Sequence, residues 1–217
     1  MSYSVFFCYY EFIMDSQIKT IIFDLNGVFV RSEKLSDRFK EKFGVSSDDF
    51  LPALKEIMAK VRLPDAEDAF SYWKPCLDMW GVNLSRDDFF NFWFSGEKEA
   101  PAMIELARTL KGKGVKIFIL SNNFKERTAY YDAQFPFLRE VADKVYYSWQ
   151  TGFVKSGPEA YKKLLADNKL KPEECLFFDD SQENVELART LGIKSFIFGG
   201  IDKTREVLRA EKILQEN

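Results

Sequence analysis

An α/β fold, a Rossmann-like parallel sheet with an α-helical insertion after its first strand, is what this sequence predicts. Three observations carry that prediction. Short apolar or β-branched runs alternate with helix-length segments of 3.6-residue period. The alternation is broken once, by a long helical stretch directly after the first run. Polar signatures follow four of the runs at or near their carboxyl ends, where ligands of parallel sheets bind.

The elements follow in chain order. Residues 1–18 read as an N-terminal extension: MSYSVFFCYYEFIMDSQ is aromatic, carries Glu11 and has no Lys or Arg before Lys19. It therefore lacks the positive flank of a secretory signal and the roughly 20 apolar residues of a membrane span. Both a dispensable extension and an aromatic arm packed on the domain or a partner fit it. Thr20 to Phe23 is the first strand; it halts on Asp24 and turns through Asn26-Gly27. Residues 31–96 are the inserted helical segment, with turns at Gly44, Pro64, Pro75 and Gly81, and 19–30 with 97–217 form the core. Pro101 to Lys111 opens with proline at a helix start, aligns Met103, Leu106, Ala107 and Leu110, and stops at Gly112 and Gly114.

Val115 to Leu120 is the second strand and runs into Ser121-Asn122-Asn123; Lys144 to Tyr147 is the third, with Lys155 beyond it in TGFVKSGPEAY. The helix Pro158 to Asn168 turns Tyr161, Leu164 and Leu165 inward. Cys175 to Phe178 is the fourth strand and ends on Asp179-Asp180. Glu183 to Leu191 is a helix stopped by Gly192, Lys194 to Phe198 the fifth strand, and Lys203 to Leu214 a terminal helix.

Composition narrows the function. The 217 residues are 46% hydrophobic and 16% aromatic, enough for a core without metal or disulfide staples. Lys and Arg number 31 against 34 acids, so no broad basic field exists for nucleic acid or an anionic membrane, and a small phosphorylated partner would need only a local basic site. Cys8, Cys76 and Cys175 are odd in number and far apart, which fits a reducing cytoplasm. The chain has no histidine, which excludes Ser-His and Cys-His nucleophiles and His-ligated metals.

Each polar signature alone has a dull explanation as a turn, a helix cap or a solvated charge. Together, at strand ends that converge, they match phosphoryl transfer through an aspartyl intermediate. A carboxylate is a weak nucleophile, used where a metal and cations neutralise the phosphate it approaches. Asp24 is placed to attack, Asp180 with Asp24 offers the hard oxygens Mg2+ prefers, Lys155 neutralises charge, and Ser121 with nearby amides meets phosphoryl oxygens.

These signatures resemble the four motifs of the haloacid dehalogenase (HAD) superfamily from Lys19 to about Phe198. LSNN, ADKVYYSWQTGFVKSGPEAY and FFDDSQENVELARTLGI are similar to the branch of α-D-glucose-1-phosphate phosphatase and the amino-terminal domain of soluble epoxide hydrolases. The resemblance implies a helical cap at 31–96, Asp24 as nucleophile, Ser121 and neighbouring Asn122 as substrate-binding groups, and Lys155 as the motif lysine. It further implies Mg2+ held by Asp24, the Asn26 carbonyl and Asp180, with Asp179 beside them as a water-mediated ligand.

Two departures stand out. KSGP, Lys155 to Pro158, replaces the commoner KPDP or KPEP. Asn26 occupies the place of the family's acid/base Asp, and an amide transfers no proton, at a cost of about 10² to 10⁴ in rate. A slow phosphatase on activated esters such as sugar 1-phosphates, a non-catalytic phosphometabolite-binding member and a dehalogenase-type hydrolase are the readings left open. Trp73, Trp80, Phe89, Phe90, Phe92, Trp93 and Phe94 read either as a sugar platform or as the core of a helical bundle. Arg31 and Lys34 read as a site for a second anionic group or as a solvated hinge.

Overall fold

A computed structural model describes residues 18–215, so the expected N-terminal extension, Ile18 apart, lies outside the described residues. The first strand is β1 (Thr20–Phe23), and all four of its residues are buried. A tight loop follows, in which the N–H groups of Val28, Phe29 and Val30 converge on the carbonyl of Leu25. It leads to β2 (Val30–Ser32) and then to four helices: α1 (Leu35–Phe43), α2 (Ser47–Val61), α3 (Ala69–Met79) and α4 (Arg86–Phe94). Ser46 and Ser85 cap α2 and α4 by accepting from the N–H groups of Asp49 and Asp88. The strand β3 (Glu97–Glu99) then returns antiparallel to β2. This two-stranded ribbon was not expected: three residues are too few to show a period of two, so only its pairing reveals it.

The remaining chain restores the alternation. It comprises α5 (Pro101–Gly112), β4 (Lys116–Ser121), α6 (Lys125–Gln134), the short α7 (Phe137–Val141), β5 (Lys144–Tyr147), the short α8 (Ser148–Thr151) and α9 (Pro158–Asp167). A 3₁₀ turn at Pro172–Glu174, β6 (Cys175–Asp179), α10 (Gln182–Thr190), β7 (Lys194–Ile197) and α11 (Ile201–Ala210) complete it. The second strand starts one residue later than predicted because the Val115 N–H bonds back to Leu110 and closes α5. The terminal helix lies earlier than the expected Lys203 to Leu214, since Lys212 takes a left-handed φ of 58°. Helix α6 went unmarked because only Thr128 and Tyr131 of its residues are buried.

The large sheet is parallel, in the order β5-β4-β1-β6-β7. Alternate residues of the strands face opposite layers, as a period of two requires. Ile21, Phe23, Ile117, Ile119, Leu176 and Phe178 join one buried cluster with α5 and α7, while Ile22, Phe118, Leu120 and Phe177 join another with α9. Each such side chain contributes about 1.5–3 kcal/mol when fully buried. The four inserted helices have their own aromatic cluster, which includes Phe39, Phe50, Trp73, Phe89 and Trp93 and reaches the core through Phe124.

Candidate active site

The chain passes from β1 to β4 on one side of the sheet and returns to β6 on the other. That reversal opens a crevice beyond the carboxyl ends of the strands flanking β1. Phe23 is paired in register with Phe178, so Asp24 and Asp179, each one residue further on, emerge side by side. Between them lies Lys155, whose Nζ is 2.7 Å from Asp24 Oδ1 and 2.6 Å from Asp179 Oδ2. All three side chains are buried. Sequence placed Lys155 on a loop; Asn122 supplies the missing constraint, since its Oδ1 accepts from the Lys155 N–H at 2.9 Å.

Asp179 is held on three sides. Lys155 takes one oxygen, while the Ser181 N–H and Asn184 Nδ2 donate to the other at 2.9 and 3.0 Å. Asp180 is exposed and reaches across to Gly27, where a β-carbon would collide with its Oδ2. Gly27 also has a φ of 86°, so glycine is required there twice over. Oxygens of Asp24, Asp179 and Asp180 lie within 4.8 Å of one another.

The electrostatics follow from burial. Desolvation pushes Asp24 up to about 6 against the pull of Lys155, with Asp179 adding to the rise. Asp180, open to solvent on one side, is also raised, by partial loss of hydration first and by Asp179 second. Burial would lower Lys155, but Asp24 and Asp179 outweigh it and hold the ammonium charged. Three carboxylates against one lysine leave a local excess of negative charge, on hard oxygen donors that suit a divalent cation such as Mg2+.

Asn26 sits beside this group in a network whose direction can be read. Asn123 Oδ1 accepts from the Phe124 N–H, so Asn123 Nδ2 is the atom facing Asn26 and donates to its Oδ1 at 3.2 Å. Asn26 Nδ2 then donates to the Tyr131 hydroxyl at 2.6 Å, and that hydroxyl donates to Glu97 Oε2 at 3.1 Å. Glu97, buried on β3, also accepts from Ser32 at 2.5 Å and pairs with Arg127 at 2.6 Å. Position 26 is thus tied to both strands of the ribbon that leads into the inserted helices.

A cavity of about 440 Å³ is lined by Asp24, Asn26, Gly27, Ser32, Arg62, Asn122, Arg127, Lys155, Asp180 and Asn184. Five sequence candidates, Asp24, Asn26, Asn122, Lys155 and Asp180, line it directly. Asp179 stands behind Lys155. Ser121 ends β4 with its Oγ buried and without a hydrogen-bond partner among the described residues, and it is not part of the lining. None of the aromatic residues from Trp73 to Phe94 lines this cavity. Trp73 and Phe89 are fully buried in the helical cluster, and Phe90 and Phe94 border a different cleft. Arg31 and Lys34 are exposed and absent from the lining. Arg62, Arg127 and Asn184, which do line it, carry no sequence signal of their own, since a lone polar residue on or next to a helix has neither a strand-end position nor a period to mark it.

The model of the haloacid dehalogenase-like hydrolase family matches residues 18–192. Among curated proteins, the bifunctional epoxide hydrolase 2 of Sus scrofa is 26% identical over 85% of this chain and 37% of its own length. The chain thus spans little more than a third of that relative. A D-ribitol-5-phosphate phosphatase of Bacteroides thetaiotaomicron is 25% identical over 82% of this chain and 91% of its own. Among solved structures, an HAD-family enzyme of Bacteroides thetaiotaomicron shares the fold with a TM-score of 0.74 at 22% identity, over 88% of this chain and 98% of that one. A structure of that enzyme in complex with magnesium and inorganic phosphate has a TM-score of 0.69, over 83% and 93%.

Proposed function

Because this chain belongs to the haloacid dehalogenase-like hydrolases, we propose that it is a Mg2+-dependent phosphatase of a small phosphorylated metabolite, working through an aspartyl phosphate. The observation that carries the reading is Lys155 held between Asp24 and Asp179 beside a third carboxylate, at the floor of one cavity. The phosphate-bound relative supports it, as does the phosphatase named among the curated relatives.

In this reading Asp24 Oδ attacks phosphorus in line with the departing alcohol oxygen, and that P–O bond breaks as the Asp24–phosphorus bond forms. Lys155 keeps Asp24 ionised and meets the charge of the phosphoryl group. Ser121 offers its unpartnered hydroxyl, and the cavity-facing side of Asn122 lies next to it. Asp24, Asp180 and the Asn26 carbonyl would hold the cation, with Asp179 behind them; bound there, Mg2+ would neutralise phosphoryl charge. Water then attacks the phosphorus, the bond between phosphorus and Asp24 breaks, and the water's proton passes to solvent or to the released phosphate, since Asn26 cannot accept it.

Asn26 cannot give a proton to the leaving oxygen, which favours substrates that need none, such as anomeric or acyl phosphates. Helices α1 to α4 are proposed as the cap over this chemistry, and the reducing cytoplasm as its setting. The second reading, a phosphometabolite-binding protein, draws on the way Asn26 is locked as an amide.

The test is phosphate release from sugar 1-phosphates, acyl phosphates and alkyl phosphates, with and without Mg2+, for wild type and Asp24→Asn. The expected outcome is Mg2+-dependent release that is strongest for activated esters and abolished by Asp24→Asn. Release that survives Asp24→Asn removes the aspartyl intermediate. No release from any ester, with phosphate still bound, moves the protein to the second reading.

A further inference from the structure

Arg62 follows the last residue of α2, and its side chain makes no hydrogen bond or ion pair with any described residue. Its Nε is nonetheless buried, and the residue lines the same cavity as Asp24 and Lys155. The residue as a whole is half-buried, so Nε has given up water without gaining a protein partner while the outer nitrogens of the guanidinium remain open to the cavity and solvent. Burial, with Arg127 adding repulsion, lowers its pKa, and only Asp24 opposes the shift. The other arginine of the lining does not share this state. Arg127 is neutralised by Glu97 at 2.6 Å and donates to Ser32 at 3.1 Å.

In-line displacement decides which part of a substrate Arg62 meets. Asp24, Lys155 and the strand-end donors occupy the side from which the phosphoryl group is attacked. The leaving group therefore points away from β1. Arg62 enters the cavity from the inserted helices and not from a strand end.

We infer that Arg62 is a specificity residue: it reads a second anionic group, a carboxylate or a further phosphate, on the alcohol half of the substrate. This deepens the phosphatase reading and rests on it. The substrate class becomes activated phosphate esters that carry two separated anions, and the neutral sugar 1-phosphate becomes the weaker member. The guanidinium fork suits such oxyanions, and its free donors satisfy them without breaking any contact in the protein.

The test compares α-D-glucose 1-phosphate with α-D-glucuronic acid 1-phosphate, which share a leaving oxygen and differ by a carboxylate in place of the terminal hydroxymethyl group. Wild type in Mg2+ should prefer the glucuronic acid ester. Arg62→Gln should lose on the order of 10- to 100-fold in kcat/KM for it, through KM, as expected for a lost charge-assisted contact. The variant should keep glucose 1-phosphate within about twofold, and Arg62→Lys should recover part of the preference. Because no protein partner is lost, Arg62→Gln should also match or exceed the thermal midpoint of wild type without ligand.

Equal loss on both esters would overturn the inference by placing Arg62 on the transferring phosphoryl group, and no loss on either would overturn it outright. If neither ester is hydrolysed, the phosphatase reading has failed, and calorimetry with the same two esters decides the matter independently. Tighter binding of the glucuronic acid ester to wild type, lost in Arg62→Gln, upholds the role of Arg62; equal affinities refute it.

Discussion

Asn26 is an amide by surroundings as well as by sequence. Asn123 donates to its oxygen and Tyr131 accepts from its nitrogen, so the two ends of the side chain are told apart. In Asn26→Asp, Asn123 keeps its acceptor, but the Tyr131 hydroxyl must turn from Glu97 toward the new carboxylate. Glu97 still has Ser32 and Arg127, so the substitution is tolerated and position 26 gains a proton to transfer. Turnover of alkyl phosphates should rise by up to about 10² to 10⁴, with a smaller gain for acyl or anomeric phosphates, which need no protonation on leaving. Phosphate release from matched alkyl and acyl esters measures this, with peptide mapping to exclude deamidation at Asn26-Gly27. A gain equal for both classes would place the missing proton transfer at the shared hydrolysis of the aspartyl phosphate, and no gain for either would show that proton transfer is not what position 26 lacks.

Between elements, α3 and α6 are joined at a point that titrates. Glu126 of α6 accepts from the Ala69 N–H at the start of α3, at 3.1 Å. Asp68, which caps α3 through the Phe70 N–H and pairs with Arg86, lies against it. Glu67, Arg86 and Lys125 line the same cleft. Burial raises Glu126, and the charge of Asp68 adds to the rise. The folded chain thus holds this proton more tightly than the unfolded chain does. The stability it contributes is present at low pH and lost as pH rises above the ordinary glutamate range through the folded value. Gln keeps the acceptor for Ala69 and cannot ionise. Glu126→Gln should therefore be more stable than wild type at neutral pH, with the advantage gone near about pH 4. Urea midpoints across that range check it; a constant difference would mean that ionisation of Glu126 is not involved.

Over the whole molecule, two cores meet at one cavity. Sheet and flanking helices bury aliphatic and Phe side chains, whereas α1 to α4 depend on aromatic packing such as Phe50 against Trp73, with centroids 5.3 Å apart. Trp73→Ala should cost about 3–5 kcal/mol and act first on those helices. Hydrogen exchange should show lost amide protection in α1 to α4 and retained protection in β1, β4 and β6, together with the loss of whatever selectivity Arg62 confers from the end of α2. Uniform loss of protection would mean that the two cores unfold as one unit.

Sequence alone determined the strands and helices of the core, because continuous apolar runs and the 3.6-residue period between them are properties of neighbours along the chain. It also pointed to the strand-end cluster: Asp24, Asp179 and Asp180 are legible since parallel strands must bring their carboxyl ends to one edge, whereas Lys155 reaches them from a loop that Asn122 holds. Tertiary structure alone decided the rest. Arg62, Arg127 and Glu97 come from the inserted helices, from α6 and from a three-residue strand that no period marks. Their roles depend on which charges meet through space and which stay unpaired, and that is fixed only when two separately packed cores close on one cavity.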